Sequence, residues 1–111
     1  LVATNVVAMT DLAFVALAEP RRRAILLALE RGELTAGEIA RRFDVTRPAI
    51  SKHLAVLRAA GLVAERRVGT RRWYRASPEG LGPVRAFVDT FWTERLDALG
   101  AAIEQGEHGD A

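Results

Sequence analysis

The stretch that decides the fold is residues 44–63, which read DVTRPAISKHLAVLRAAGLV. Thr46 suits the N-cap of a helix, and Pro48 suits its first turn. Gly61 suits the position just beyond the C-terminus of a helix, where a left-handed backbone is common. Between these signals, apolar residues spaced at i, i+4 and i+7 predict a helix with one buried stripe, made of Ile50, Leu54 and Leu57.

A shorter helix is predicted immediately before this one. Thr35 and Glu38 have the spacing of a capping box, and Ile39 follows as an inward-facing residue. The two positions 44–45 leave room for a tight turn before the next N-cap. Two helices joined by such a turn form a helix-turn-helix, which the sequence predicts over residues 35–60.

The other face of the second helix carries residue types that contact DNA. Arg and Lys are usual partners of guanine O6 and N7, and helix-turn-helix proteins place the first turns of this helix in the major groove. Contact with phosphates alone, or a merely solvated face, is the alternative. His53 has two interpretations, a half-buried side chain with a structural hydrogen bond or a DNA contact. The residues of this helix predicted to contact DNA are Thr46, Arg47, Pro48, Ser51, Lys52 and His53.

Residues 62–76 change to the alternating pattern of a β-hairpin. A helix-turn-helix followed by a hairpin is a winged helix, so the predicted fold is mostly α, with about five helices and a two-stranded wing. Trp73 and Tyr74 alternate along the second strand, and core packing for one of them is favoured over base stacking. Backbone or minor-groove contact suits guanidinium groups on a wing, although a charged edge that resists aggregation is the alternative. The wing residues predicted to contact DNA are Arg67, Arg71 and Arg72.

Two apolar segments flank the winged helix, at residues 10–18, where Thr10 is a suitable N-cap, and at residues 81–104. The second segment has apolar residues every three or four positions, more than a lone surface helix on a small domain needs. It either covers the core or meets a copy of itself, and an apolar ligand pocket beside its aromatic residues is a further alternative. The predicted homodimer interface consists of Leu12, Leu17, Val84, Phe87, Val88, Phe91, Trp92, Leu96 and Leu99.

Length and charge are consistent with a single domain, residues 1–111, that has an anionic partner. The net charge is +2, but residues 20–76 carry fourteen Arg or Lys and five Asp or Glu. The arginines at 21–23 look like a phosphate clamp, with pairing to acidic residues as an equal alternative. There is no cysteine for a disulfide or a thiolate site. No apolar run is long enough for a membrane span and no signal-peptide pattern is seen, so we expect a cytoplasmic protein without a membrane partner.

The run Ser-x-His-Leu-x-x-Leu-x-x-x-Gly-Leu-Val at 51–63, together with residues 69–74 and with Leu17, Pro20, Arg22, Arg23 and Ile25, resembles the ArsR/SmtB family of bacterial winged-helix repressors. The resemblance covers residues 12 to about 100. It implies a homodimer, with the first and last helices at its interface, that binds an operator and represses transcription. Many members of that family sense metals, but residues 34–39 here lack the cysteines of that motif, and the predicted last helix, residues 81–104, has no histidine. We therefore predict no metal site and no cofactor, and a small-molecule effector is left open.

The predicted function is that of a sequence-specific, DNA-binding transcriptional regulator, a repressor that acts as a homodimer on a palindromic double-stranded operator. Two alternatives are a winged-helix protein-interaction module and a nonspecific chromosome-associated DNA-binding protein. Heparin retention and affinity for unrelated DNA distinguish them. No catalytic arrangement is predicted, since the acids Asp89 and Glu94 lie about 140° apart around a helix. The chain is not expected to be an enzyme.

Overall fold

Five helices and three short strands succeed one another in the computed structural model, which describes residues 11–110 and the side chains of residues 11–103. This order confirms the predicted winged helix-turn-helix; the N-cap predicted at Thr10 lies outside the described residues. The elements are α1 (residues 11–18), α2 (Pro20–Glu30), β1 (Leu34–Thr35), α3 (Ala36–Phe43), α4 (Arg47–Ala59), β2 (Val63–Val68), β3 (Arg71–Ala76), a 3₁₀ turn (Pro78–Leu81) and α5 (Gly82–Asp110).

The sheet has one strand more than the sequence predicts. Its order is β1-β3-β2, all antiparallel, and β1 pairs Leu34 with Tyr74 and Thr35 with Trp73. The predicted two-stranded wing is the β2–β3 hairpin, and β1 is an additional strand that the sequence analysis did not predict. A strand of two residues is too short to show alternation, and Thr35 also serves as the N-cap of α3, where its hydroxyl accepts a hydrogen bond from the Glu38 amide at 3.2 Å.

The core lies where α2, α3 and α4 pack against the inner face of the sheet. The predicted stripe of α4 is buried, as are Ile25 and Leu29 of α2 and Ile39 of α3. Tyr74 is the aromatic residue of β3 that enters this core, while Trp73 is half-buried on the opposite face. The alternation predicted for the two aromatic residues is therefore present.

The end of α4 is closed by a Schellman motif, as Gly61 predicts. Gly61 has a φ of +75°, and its amide donates to the Arg58 carbonyl at 2.9 Å. The amide of Leu62 donates to the Leu57 carbonyl, also at 2.9 Å. Gly80 of the 3₁₀ turn lies directly against this motif, because a Cβ added to Gly80 would overlap the carbonyl of Gly61. The C-terminus of α4 thus touches the segment that leads into α5, and this main-chain contact is the glycine joint.

Helix α1 reaches the core through the buried Ala13 and Ala16, whereas most of α5 lies outside the core. Phe14 of α1 and Phe87 of α5 meet edge to face, with ring centroids 5.5 Å apart. Beyond this contact α5 continues as an exposed helix, and each of residues 85–103 is exposed. The predicted interpretation in which α5 covers the core is therefore wrong for this part of the helix. Among the described helices, none is long and apolar enough to cross a membrane.

Candidate nucleic-acid interface

The first turns of α4 present their polar side chains away from the core. Thr46 caps the helix by accepting a hydrogen bond from the Ala49 amide at 3.3 Å, and Pro48 occupies the first turn. Arg47, Ser51 and Lys52 are all exposed, whereas the stripe residues of the same helix are buried. Their polar groups are accessible in the structure, and their contact with DNA stays a prediction.

A cleft of about 560 Å³ separates this surface from the wing and the N-terminus of α3. We call it the arginine cleft, because four arginines line it and Glu38 is the acidic residue among its lining side chains. The guanidinium groups belong to Arg41, Arg47, Arg71 and Arg72. The cleft therefore joins predicted contacts of α4 to predicted contacts of the wing in one concave, positively charged surface.

Arg41 is a cleft residue that the sequence reasoning missed. At the position a Cβ would take on Gly37, the Arg41 guanidinium lies 3.7 Å away and that of Arg47 lies 3.9 Å away. Gly37 thus leaves space in which the two groups approach each other. Gly37 and Arg41 are four residues apart on α3, so a glycine facing an arginine across one turn was the available signal.

The wing arginines fall into two groups. Glu65 binds Arg58 of α4 at 2.9 Å and lies 3.9 Å from Arg72, so Arg72 is partly neutralised. Within the described part of the chain, Arg67 and Arg71 make no ion pair. Arg67 lies directly opposite Arg72 in the hairpin register, which places two like charges side by side. An anion between them would relieve that repulsion.

The ion pair between Arg66 and Glu33 crosses the face of the sheet that lies away from the core, and we call it the strap. Arg66 of β2 donates to both carboxylate oxygens of Glu33, which precedes β1, and so spans β3 at Trp73. The hydrogen bond from Arg66 holds the pKa of Glu33 below its ordinary value, and Glu33 raises the pKa of Arg66. Arg66 is therefore committed to the sheet rather than to the arginine cleft.

The arginines at 21–23 have partners that neither predicted alternative describes. Arg21 donates to the carbonyl of Phe43 at 3.1 Å, and its guanidinium lies 5.8 Å from the Phe43 ring centroid. Arg22 and Arg23 donate to carbonyls at the end of α1. The acceptors are the unpaired backbone oxygens at helix C-termini, where cations are favourable. Arg22 also lies 3.4 Å from Nδ1 of the half-buried His53, a contact that fits the structural interpretation of His53. Contact of His53 with DNA stays a prediction.

The second surface is apolar and is formed by α1 and α5, which together we call the apolar arm. Of the predicted interface, Leu17 and Val84 are half-buried, and Leu17 packs against the core of its own chain. Three further residues that the prediction omitted are exposed here, Phe14, Val15 and Ile103. The predicted interface residues that are exposed are Leu12, Phe87, Val88, Phe91, Trp92, Leu96 and Leu99.

A helix-turn-helix whose second helix and wing enclose a basic cleft defines a winged-helix DNA-binding regulator. The family model for bacterial regulatory proteins of the arsR family matches residues 19–65. The chain belongs to the ArsR family of transcriptional regulators. Within residues 11–103, no three His, Cys, Asp or Glu side chains gather as metal ligands would.

Two curated relatives and one solved structure show the extent of the similarity. The HTH-type transcriptional regulator Rv2034 of Mycobacterium tuberculosis is 47% identical over 94 residues, 85% of this chain and 88% of that protein. The transcriptional repressor SdpR of Bacillus subtilis is 41% identical over 61 residues, 55% of this chain and 68% of that protein. A homodimeric winged helix-turn-helix DNA-binding domain from Mycobacterium bovis, a possible ArsR-family regulator, is 33% identical with a TM-score of 0.62 and 87% coverage of both chains.

Proposed function

We propose that the chain is a homodimeric repressor that binds a palindromic operator in double-stranded DNA. The observation that carries the proposal is the arginine cleft, which joins the polar face of α4 to the wing. In a winged helix, the second helix of the helix-turn-helix enters the major groove while flanking groups hold the backbone. The four arginines that line the cleft support this mode of binding.

Base and backbone contacts divide between the two sides of the cleft. Arg47, Ser51 and Lys52 are in the first two turns of α4, where side chains reach base edges. Arg41 and Arg71 flank them on α3 and on the wing, so a phosphodiester strand that follows the cleft meets guanidinium groups on both sides. Phosphate neutralisation by these groups would make the affinity strongly salt-dependent.

The apolar arm supplies the second part of the proposal. A helix-turn-helix dimer places its two recognition helices about 34 Å apart, one turn of DNA, and a rigid interface has to set that distance. The exposed apolar residues of α5 spread over roughly half the helix circumference. Helix α1 contacts one side of that surface at Phe87, which leaves the other side for a second copy of the chain. The relative from Mycobacterium bovis is a homodimer, and SdpR is a repressor, which supports both assignments.

The test of base recognition compares matched charge deletions. We expect Arg47→Ala and Lys52→Ala each to weaken binding to the preferred DNA by about 1–3 kcal/mol, because each removes a base-edge contact. The control is Arg31→Ala, which deletes the same charge at an exposed residue beyond the end of α2. Fluorescence anisotropy with a duplex that the wild-type chain selects from a randomised pool measures all three. Wild-type affinity in both α4 variants would contradict the assignment of α4.

The residues proposed to contact the DNA backbone should affect binding differently from those proposed to contact bases. Arg41→Ala and Arg71→Ala should weaken binding to selected and random duplexes alike and lower the salt slope by about one unit each. The same titration excludes the two alternatives. A protein-interaction module would show no salt-dependent DNA binding, and a nonspecific chromosome-associated protein would bind random duplexes within about tenfold of the selected one.

A further inference from the structure

The guanidinium group of Arg22 connects three helices. Its Nε donates to the Ala16 carbonyl at 2.8 Å, and its second terminal nitrogen donates to the Val15 carbonyl at 3.1 Å. Both acceptors lie at the end of α1. Its first terminal nitrogen lies 3.4 Å from Nδ1 of His53, in the middle of α4. Arg22 itself belongs to the first turn of α2, so one side chain joins the apolar arm to the helix that enters DNA.

The chemistry of the Arg22 side chain assigns a role to Nδ1 of His53 in this contact. An arginine has five N–H donors and no acceptor, so in a hydrogen bond between the two groups Nδ1 of His53 is the acceptor. This role corresponds to the tautomer with its proton on Nε2. The planar fork of the guanidinium group suits this arrangement, because its donors point in fixed, diverging directions. A lysine keeps the charge but has one nitrogen, which cannot reach α1 and α4 at these three positions together.

We propose that Arg22 is a positioning residue that sets the orientation of α4 relative to the apolar arm, and through it the geometry of the two α4 helices in the dimer. The inference rests on the proposed function, because the orientation matters for binding two half-sites at once. Arg22 is half-buried, and its nitrogens are used by Val15, Ala16 and His53. Its contribution to DNA binding is therefore indirect and specific to correctly spaced half-sites.

The test separates positioning from phosphate contact by keeping the charge. Arg22→Lys should bind the selected duplex about tenfold more weakly than wild type, with unchanged affinity for random DNA and an unchanged salt slope. Inserting one base pair between the half-sites should penalise this variant less than wild type, because its α4 helices are less firmly held. The matched control is Arg23→Lys, since Arg23 donates to the Leu17 carbonyl of α1 and has no described contact with α4.

The α4 side of the contact is tested by substitutions at His53. His53→Asn keeps an acceptor near the position of Nδ1 and should retain affinity within about threefold, whereas His53→Leu should lose about as much as Arg22→Lys. The double variant Arg22→Lys with His53→Leu should lose no more affinity for the selected duplex than the weaker-binding single variant. The reason is that both substitutions remove the same contact, the one between Arg22 and His53. Imidazole ¹⁵N spectra of wild-type protein without DNA should show the Nε2–H tautomer.

The outcomes divide cleanly. Full specific affinity in Arg22→Lys and His53→Leu overturns the inference, and so does an Nδ1–H tautomer in wild-type protein. A salt slope lowered by about one unit in Arg22→Gln identifies a phosphate contact instead and also overturns it. If Arg22→Lys does not fold, the two His53 variants and the tautomer decide. Failure of the proposed function is distinguishable, because wild-type protein would then show no preference for any selected duplex.

Discussion

The winged-helix body, residues 20–76, and the apolar arm use the same kind of amphipathic pattern with opposite results. In the body, the apolar stripe of α4 is buried against α2, α3 and the sheet. In the arm, Trp92 and Leu96 are 57% and 61% exposed although their spacing is equally helical. The body is stabilised within one chain, whereas the arm needs a second surface. Periodicity shows that one face of a helix is apolar, but it does not show whether that face packs against its own chain or against another molecule.

The largest effect on DNA binding should come from a substitution that prevents the apolar arm from packing against a second chain. Phe91→Asp places a carboxylate in the middle of the apolar face of α5, where burial against a second chain would strip its water. We expect a monomer that has lost specific DNA binding while keeping the folded body, measured by sedimentation velocity and anisotropy. Ala86→Asp, about 140° away around the same helix, is the control and should stay dimeric. A Phe91→Asp dimer with full affinity would show that the exposed face is not the interface.

Equal truncations in the two regions sharpen the comparison. Leu54→Ala removes a side chain that is 1% exposed and should cost about 2–5 kcal/mol of unfolding free energy, independent of protein concentration. Leu96→Ala should change stability mainly through assembly, so its effect should grow with protein concentration. Urea unfolding at two concentrations separates these cases. A concentration-independent loss in Leu96→Ala equal to that of Leu54→Ala would mean that the arm is stabilised within its own chain.

The glycine joint is where body and arm meet, so a change there should disturb both. Gly80→Ala forces a Cβ into the Gly61 carbonyl, which is backbone and cannot swing aside, and should cost about 1–3 kcal/mol. Gly82→Ala is the control, because its Cβ would have open space and it lies in a helical turn. That variant should gain up to about 1 kcal/mol. Thermal unfolding measures the melting temperatures of both variants. Equal melting temperatures for the two variants would show that the contact between Gly80 and Gly61 does not limit the side chain at position 80.

The smallest effect concerns the strap across the wing. Because the hydrogen bond from Arg66 lowers the pKa of Glu33 in the folded protein, its contribution is present above the ordinary pKa of a glutamate. It is lost as the pH falls through the lowered value. Glu33→Gln should therefore lower the melting temperature slightly at neutral pH, and the difference from wild type should vanish in acid. The control is Glu30→Gln, which removes the same charge from an exposed position on α2. If the stability of Glu30→Gln depends on pH in the same way, the effect does not come from the ion pair of Glu33.

Most of the body could be predicted because its signals are local. Thr35, Thr46 and Gly61 are caps whose geometry depends on a few neighbouring residues, and all three act as predicted. The spacing of the α4 stripe follows from the helix repeat alone. Strand β1 could not be predicted in the same way, since its two residues are extended by pairing with β3, which lies about forty positions further along the chain.

The arginines show where sequence reasoning reached its limit. The run at 21–23 looked like part of the DNA-facing charge, yet its hydrogen bonds go to carbonyls of α1 and α3. Arg41, which received no role, lies in the arginine cleft. A count of charges contains no information about direction, and helix C-termini compete with phosphates for the same guanidinium groups. Which arginines face an outside anion is decided by tertiary packing.

The glycine joint has a consequence for how such a regulator diverges among its relatives. Since Gly61 and Gly80 meet through main-chain atoms, no side chain at the joint has to change together with the two surfaces it connects. In the proposed function, substitutions at Arg47 or Lys52 would alter which operator is chosen, and substitutions at Phe91 would alter which subunit is accepted. After gene duplication, two copies can therefore become insulated from each other's promoters and from mixed assembly by separate mutational steps.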